Sequence, residues 1–311
     1  MNTQRQFDAN DDQPHRASGP QNADNFEDTD IGDCRAYQGN IYDEDHQVHF
    51  DENGNSVFSI VVPYRDSDDD EMDAYDREPA DYAYWEVRKI RGAIYGGVYA
   101  GILLKRLHTH DGSVKWVKTS TMVAIKKLDC DHVMREANTS AERPMEEIKA
   151  MQYLQHHIAA RSNNLQENLT SDDIRQRAEQ GIFEHHVMTS IDVITDNVNL
   201  YLVMPFCDGK EMFDVVQEQK FSEPEARYWF KQILKAVETL QEAGVCHRDM
   251  SLENMMVSNA GVLAIVIDFG MALKIPYITD ENGFRQRCLI KPDRACGKVS
   301  YHPTLIQPDT I

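Results

Sequence analysis

The sequence contains no apolar run of about 18 residues, which is the length that a membrane-spanning helix needs. Its first residues are polar and lack the basic and apolar regions of a secretory signal. Six cysteines are scattered along the chain without a C-x-x-C pair, which argues against a disulfide framework or a zinc site. No basic patch with interleaved aromatic residues occurs, so nucleic acid is a poor partner. We therefore expect a cytoplasmic (intracellular) protein that uses neither a membrane nor nucleic acid.

The negative charge is concentrated at one end of the chain. The net charge is -20, and residues 1–82 hold 22 Asp and Glu against five Lys and Arg. The first 40 residues also have few large apolar side chains, so they cannot bury enough surface to offset the entropy of ordering. We predict an acidic, largely disordered segment over residues 1–81. The strand-forming residues at 57–62 are an island within it that either packs on the domain or binds a partner.

The rest of the chain alternates between strand and helix patterns. Residues 84–90 and 97–104 read as two strands around a glycine-bearing turn, which is typical of a hairpin. A helical pattern starts at Pro144, and a second one starts at the capping box over residues 222–225. Gly244 is placed to end this second helix.

Two short motifs carry the chemistry, H-R-D at 247–249 and D-F-G at 268–270. Asn254 follows the Asp of the first motif by five residues, and an apolar, strand-like run over 262–267 leads into the second. Together they supply two carboxylates and one amide oxygen, which suits Mg-nucleotide chemistry. One carboxylate can orient a hydroxyl proton, while the other groups hold metal that bridges phosphates. Either motif alone is a weak signal, but both in this order and spacing are a strong one.

These motifs resemble the catalytic loop and the metal loop of the eukaryotic-type protein kinases. The resemblance implies an α+β, two-lobed protein kinase-like fold. Its N-lobe would be an antiparallel sheet plus one helix, placed at 82–207 with an insertion near 158–184. A partial, mainly helical C-lobe would occupy 208–311 and end in the activation segment. Because few residues follow Asp268, either the chain is a fragment or a partner chain completes this lobe.

The resemblance extends to V-A-I-K at 123–126, which matches the kinase strand that carries a phosphate-contacting lysine. Lys126 is the implied lysine, and a carboxylate on the following helix would hold its ammonium group. Glu147 is favoured as that carboxylate. Glu146 is the alternative, because the sequence alone does not fix the phase of the helix.

The remaining roles are also implied by the resemblance. Asp249 would be the catalytic base, with Asn254 and Asp268 as ligands of Mg2+. Residues 200–213 resemble the hinge between the kinase lobes, with its backbone at 205–207 facing adenine and Glu211 meeting the ribose. The residues implied to bind ATP are Ile90, Gly96, Val98, Ala124, Lys126, Met204, Pro205, Cys207, Glu211, Met256 and Asp268.

Three positions depart from the family pattern. Arg91 and Ala93 occupy the first two glycine positions of the phosphate loop, so that only Gly96 remains there. Glycines at such positions let the backbone approach phosphates closely. Ser251 stands where serine/threonine kinases place a lysine, and losing one charge-stabilising group commonly costs about 10²–10³ in rate.

Two functional hypotheses follow. The first is a slow, ATP- and Mg2+-dependent protein kinase that transfers phosphate to serine or threonine of protein substrates. Glu253 and Asn254 resemble the serine/threonine class better than the tyrosine class. The alternative is a catalytically impaired pseudokinase or scaffold that binds protein partners, an idea motivated by Arg91, Ala93 and Ser251.

Overall fold

A computed structural model describes most of the chain between residues 79 and 288, together with three short segments before it. The described residues are 32–37, 41–42, 59–64, 79–108, 110–112, 114–136, 143–161, 169–180, 185–258, 262–280, 282 and 284–288. The end of the predicted activation segment, from residue 289 onward, therefore lies outside the described residues, as do parts of the predicted insertion.

The N-terminal lobe is built on a large sheet whose strands follow the predicted hairpin pattern. Its strands are β1 (Gly32–Tyr37), β2 (Ile41–Tyr42), β3 (Ser59–Pro63), β4 (Tyr82–Ala93), β5 (Gly96–His108), β6 (Val114–Asp129), β7 (Asp192–Thr195) and β8 (Asn199–Pro205). The pairs β4–β5, β5–β6, β6–β8 and β7–β8 are all antiparallel. Residues 114–129 form one continuous strand, β6, which is 16 residues long.

This sheet closes on itself through strands from the N-terminal segment. β3 pairs with β4 and β1 pairs with both β3 and β7, so the order β6-β5-β4-β3-β1-β7-β8 returns to β6. In the described structure the N-terminal lobe therefore includes strands that precede residue 82, where we had placed its start. The physical reason is that β4 and β7 would otherwise expose unpaired edges, which are covered by β3, with its apolar residues 60–62, and by β1 respectively. These three residues are at most 2% exposed.

Three helices follow β6 in the chain and precede β7. They are α1 (Cys130–Glu136), α2 (Pro144–Arg161) and α3 (Ser171–Gln180). α2 starts at the predicted proline and continues into the region that we expected to be an insertion, and α3 lies within that region. None of the helices in the described part of the chain has the length and hydropathy needed to cross a bilayer.

The C-terminal lobe presents the two motifs on short strands and loops. Its elements are α4 (Met212–Glu218), α5 (Glu223–Ala243), β9 (Val245–Cys246), β10 (Met255–Val257), β11 (Ala264–Val266), β12 (Leu273–Lys274), β13 (Tyr277–Thr279) and β14 (Arg285–Arg287). The predicted start of α5 is confirmed, since Ser222 N–H donates to the Glu225 carboxylate at 2.8 Å in a capping box. Gly244 ends α5 in the left-handed conformation, with a φ of 71°. α5 therefore delivers the chain through β9 directly into His247.

One hydrophobic cluster joins the two lobes. It combines Leu128 of β6 and Met151 of α2 with Leu240 of α5, Val257 of β10 and Phe269 of the D-F-G motif. Two further clusters fill the N-terminal lobe on the two faces of its sheet. The catalytic motifs are thus attached to the same core as the N-terminal helix α2.

Candidate active site between the lobes

A cavity of about 320 Å³ lies between the two lobes. It is lined by β4, β5 and β6 on one side, by the segment after β8, and by β10 and the D-F-G motif on the other side. Of the residues predicted to bind ATP, ten line this cavity: Ile90, Val98, Ala124, Lys126, Met204, Pro205, Cys207, Glu211, Met256 and Asp268. Apolar side chains with a few convergent polar groups are the usual composition of a small-molecule site.

Lys126 and Glu147 form an ion pair on the wall of this cavity. Lys126 Nζ donates to Glu147 Oε2 at 2.5 Å, and the two side chains are 18% and 7% exposed. Lys126 is placed by β6, whereas Glu147 lies in the first turn of α2. The pair therefore links the sheet to the helix. Of the two candidate carboxylates, Glu147 and not Glu146 forms this ion pair with Lys126. Removing one member of so buried a pair leaves an uncompensated charge, which is costly.

The H-R-D motif is held by a network of hydrogen bonds that reaches the residue before the D-F-G motif. His247 is buried, its Nε2 lies 3.0 Å from the carbonyl oxygen of Ile267, and its Nδ1 accepts from Asp249 N–H at 3.3 Å. These contacts fit the neutral tautomer with its proton on Nε2. Burial lowers the pKa of His247 below its usual range, which agrees with a neutral ring. The imidazole also packs on Phe269, with ring centroids 5.0 Å apart.

Asp249 and Asn254 are joined directly. The side-chain amide of Asn254 donates to the backbone oxygen of Asp249 at 2.9 Å and to Asp249 Oδ2 at 2.8 Å. The backbone oxygen of Asn254 accepts from Ile267 N–H at 2.9 Å, immediately before Asp268. The structure thus ties the first motif to the second, although Asp249 and Asn254 do not themselves line the cavity.

Asp268 lines the cavity from a strained backbone position. Its φ is 67°, in the left-handed region that residues other than glycine rarely adopt, and Arg248 has a φ of 65°. Asp268 Oδ1 accepts from Gly270 N–H at 3.1 Å, and the carbonyl oxygen of Gly270 accepts from Arg143 N–H at 3.2 Å beside the start of α2. Such strain is commonly found where surrounding contacts hold a functional group in place.

The donor groups at this site suit a hard cation. The amide nitrogen of Asn254 donates a hydrogen bond to Asp249, which leaves its Oδ1 as an oxygen ligand for a metal ion. Asp268 contributes a carboxylate ligand. The part of the chain that the structure describes has no group of three or more His, Cys, Asp and Glu side chains that could hold a metal by themselves. An amide oxygen and a carboxylate fit Mg2+, which binds proteins through few side chains and completes its shell with water and phosphate.

Gly96 is the predicted ATP-binding residue that does not line the cavity. It lies at the β4–β5 turn, opposite Leu128 of β6. A Cβ at this position would approach the backbone oxygen of Lys127 to 2.1 Å. The described structure therefore explains this glycine by the close approach of two strands rather than by contact with a ligand.

Two of the positions that depart from the family pattern, Arg91 and Ser251, differ in where they lie relative to the cavity. Arg91 lines the cavity and pairs with Glu211, where Nη1 lies 3.3 Å from Oε1. Ser251 is buried, with 2% exposure, and it adds no positive charge beside Asp249. Cys207 lines the cavity, and burial raises the pKa of its thiol to about 12, so the thiol is protonated.

Sequence reasoning did not assign a cavity position to several lining residues. Met188, Lys210, Asp214 and Ile267 are among them. For two of them the sequence held a signal, since Ile267 directly precedes the D-F-G motif and Asp214 lies three positions after Glu211. Met188 follows His186, whose φ of 55° turns the chain before β7 and is not visible in the residue pattern.

A comparison with known families supports the resemblance. The family model of the protein kinase domain matches residues 112–301, which is more than half of the chain. The chain belongs to the protein kinase family. The predicted α+β, kinase-like fold is confirmed by this match together with the sheet-rich N-terminal lobe.

The curated relatives of this chain are protein kinases by name, and several of the names specify serine/threonine-protein kinase. It is 29% identical to CBL-interacting protein kinase 9 of Oryza sativa subsp. japonica, over 59% of this chain and 32% of that protein. It is 31% identical to CBL-interacting serine/threonine-protein kinase 15 of Arabidopsis thaliana, over 50% of this chain and 30% of that protein. The matched part of the chain thus covers about a third of the length of each of these relatives.

Proposed function

We propose that this chain is an ATP- and Mg2+-dependent protein kinase that phosphorylates serine or threonine in protein substrates. The observation that carries the proposal is the buried Lys126–Glu147 pair on the wall of a cavity that also contains Asp268. Asp249 and Asn254 are hydrogen-bonded to each other, and the backbone of Asn254 bonds Ile267, the residue before Asp268. The names of the relatives favour the serine/threonine class.

In this proposal each group has a distinct task. Lys126, held by Glu147, attracts the phosphates, while Asn254 and Asp268 supply the oxygen ligands for Mg2+. Asp249 accepts or orients the proton of the substrate hydroxyl. When bound, ATP supplies the phosphoryl group and Mg2+ offsets its negative charge. The apolar residues Ile90, Val98, Ala124, Met204 and Met256 enclose the adenine ring, and the backbone at 205–207 offers it hydrogen bonds.

The second candidate is a binding or scaffold protein with a kinase fold and no useful turnover. Ser251 favours this reading, because the site gains no positive charge where most family members have a lysine. Such a site works by electrostatic stabilisation, and losing one group costs about 10²–10³ in rate. A kinase slowed by that factor remains detectable, which makes the two candidates separable by experiment.

Partners and location belong to the same proposal. The protein substrate is the first partner. A second protein partner that packs against α5 is supported by the exposed apolar stripe Phe230, Leu234 and Val237 along this helix. The intracellular location is supported by the free thiols of Cys130, Cys207, Cys246 and Cys288.

The deciding experiment compares phosphotransfer by the wild-type chain with that by Asp249→Asn. We expect magnesium-dependent incorporation of phosphate into a protein substrate, lost at least about 100-fold in the variant, because Asn cannot accept the hydroxyl proton. Asp131→Asn, an exposed aspartate in α1, is the matched control and should retain wild-type incorporation. Equal incorporation by wild type and Asp249→Asn would refute the kinase assignment.

Calorimetric titration with ATP separates the two candidates if no phosphotransfer is seen. Binding that strengthens with magnesium, in a chain without turnover, would favour the scaffold reading. Tight binding that does not respond to magnesium would contradict Asn254 and Asp268 as metal ligands. A matching test is Asp268→Asn, which should remove the response to magnesium while binding of adenine itself remains.

A further inference from the structure

Arg91 faces the cavity because of an irregularity in β4. Successive side chains of a strand normally point to opposite faces of the sheet. Here the neighbours Ile90 and Arg91 both line the cavity. The register of β4 against β5 shifts between Lys89 and Arg91, so Ile90 has no partner residue in the ladder. Such a bulge re-aims the side chains around it.

The guanidinium group of Arg91 crosses the cavity mouth to the other lobe. Its Nη1 lies 3.3 Å from Oε1 of Glu211. Glu211 is fixed by its backbone, because it forms a bridge with Met256 and precedes the first turn of α4. A strand of the N-terminal lobe and a helix start of the C-terminal lobe are thus connected at the entrance of the site.

We propose that Arg91 determines how this cavity recognises the sugar of a nucleoside. In the described structure, Glu211 is engaged by Arg91, whereas a carboxylate in this place is a suitable acceptor for the two hydroxyl groups of a ribose. A bound nucleoside therefore competes with Arg91 for Glu211. The inference rests on the proposed function, in which the cavity binds an adenine nucleotide beside Glu211.

The exposure of the pair decides how strong this competition is. The side chains of Arg91 and Glu211 are 55% and 32% exposed. An ion pair so open to water has a small net free energy, and salt screens it further. Arg91 therefore reduces the contribution of the ribose without abolishing it, by about two- to fivefold in affinity.

Two neutral probes, adenine and adenosine, isolate the sugar contribution. The measured quantity is the ratio of their dissociation constants, determined by calorimetry or ligand-observed NMR on the full chain. We expect Arg91→Ala to increase the preference for adenosine by about two- to fivefold, while the affinity for adenine changes little. Higher salt should raise the same preference in the wild type, from about 0.05 M to about 0.5 M, but not in Arg91→Ala.

Three further variants define the cause. Arg91→Lys retains a cation and should keep a ratio close to that of the wild type. Glu211→Ala in the Arg91→Ala background should cancel the gain, because the acceptor is gone. Lys89→Ala is the matched control, since Lys89 is an exposed cation of the same strand that packs over Tyr99 and does not line the cavity.

The outcomes separate this inference from the function on which it rests. If adenine binds and Arg91→Ala leaves the ratio unchanged, or lowers it, the role of Arg91 is refuted while the nucleotide cavity stands. If neither probe binds to the wild type or to Arg91→Ala, the proposed nucleotide site itself is refuted. A change of the same size in Lys89→Ala would show a general charge effect and would also overturn the inference.

Discussion

At the scale of single residues, the phosphate loop at the β4–β5 turn shows that a glycine of a binding motif can be required by the packing of the backbone. A side chain at Gly96 requires the backbone to shift, because its Cβ would lie 2.1 Å from the backbone oxygen of Lys127. At Gly92, four residues earlier in the same loop, an added Cβ would meet no heavy atom of the described residues within 4 Å, its chain neighbours aside. Two glycines of one loop therefore differ in how much they constrain the sheet.

We expect Gly96→Ala to destabilise the protein, whereas Gly92→Ala is nearly neutral. Backbone atoms cannot yield as a flexible side chain can, so the added methyl group at residue 96 should cost about 1–3 kcal/mol in the free energy of unfolding. Gly92→Ala should stay within about 0.5 kcal/mol of the wild type. Urea denaturation of both variants tests this. Equal midpoints would show that the turn moves away from Lys127 at no cost.

The site residues were predictable where a motif fixes the spacing along the chain. Asp249, Asn254 and Asp268 are of this kind, because their contacts follow from two short loops. The sequence favoured Glu147 but left Glu146 open, since the choice depends on the rotation of α2 about its axis. The direction of Arg91 depends on a bulge in β4, and no residue pattern in the sequence marks that bulge.

At the scale of elements, the closure of the sheet is the feature that sequence reasoning missed. The strand-forming residues at 57–62 were recognised, but their partner strand was not. Strand partners are chosen by contacts between distant parts of the chain, as in the pairing of β3 with β4 and of β1 with β7. The acidic composition around them suggested a solvated tail. Local composition therefore predicted the element and not its place in the fold.

A matched pair of isosteric substitutions tests whether β3 belongs to the domain. Val61 is fully buried, whereas Val87 of β4 is 41% exposed. We expect Val61→Thr to cost about 1–3 kcal/mol in the free energy of unfolding, because a hydroxyl group is then buried in an apolar cluster. Val87→Thr should change it by less than about 0.5 kcal/mol.

Chemical denaturation followed by circular dichroism gives both values. If both variants change the free energy of unfolding by nearly zero, residues 59–63 do not contribute to the folded domain. A lower midpoint for Val61→Thr alone would place the N-terminal segment within the cooperative unit.

At the scale of the whole molecule, the shared core decides whether the lobes unfold separately. The cluster that joins them contains Met151 of α2 and Phe269 of the D-F-G motif, together with Trp229 of α5. Separate unfolding of one lobe would expose the apolar face of the other. At about 25 cal/mol per Å² of apolar surface, that exposure is unfavourable. We therefore expect one cooperative transition, although the N-terminal sheet has clusters of its own.

Tryptophan fluorescence can report on each lobe in turn. Trp85 and Trp116 lie in the N-terminal sheet, and Trp229 lies in α5. A Trp229→Phe variant therefore reports the N-terminal lobe, and the double variant Trp85→Phe, Trp116→Phe reports the C-terminal lobe. In these two backgrounds we expect Met151→Ala to lower both midpoints together. The loss should be about 2–5 kcal/mol, because Met151 is 1% exposed and its removal leaves a cavity.

Met134→Ala is the control for this prediction, since Met134 is 76% exposed in α1 and its loss creates no cavity. It should leave both midpoints within about 0.5 kcal/mol of their starting values. If Met151→Ala shifts only one of the two transitions, the lobes are independent units. In that case the Lys126–Glu147 pair and the D-F-G motif would be held together by the hinge at residues 200–213 and by a bound nucleotide, and not by a common core.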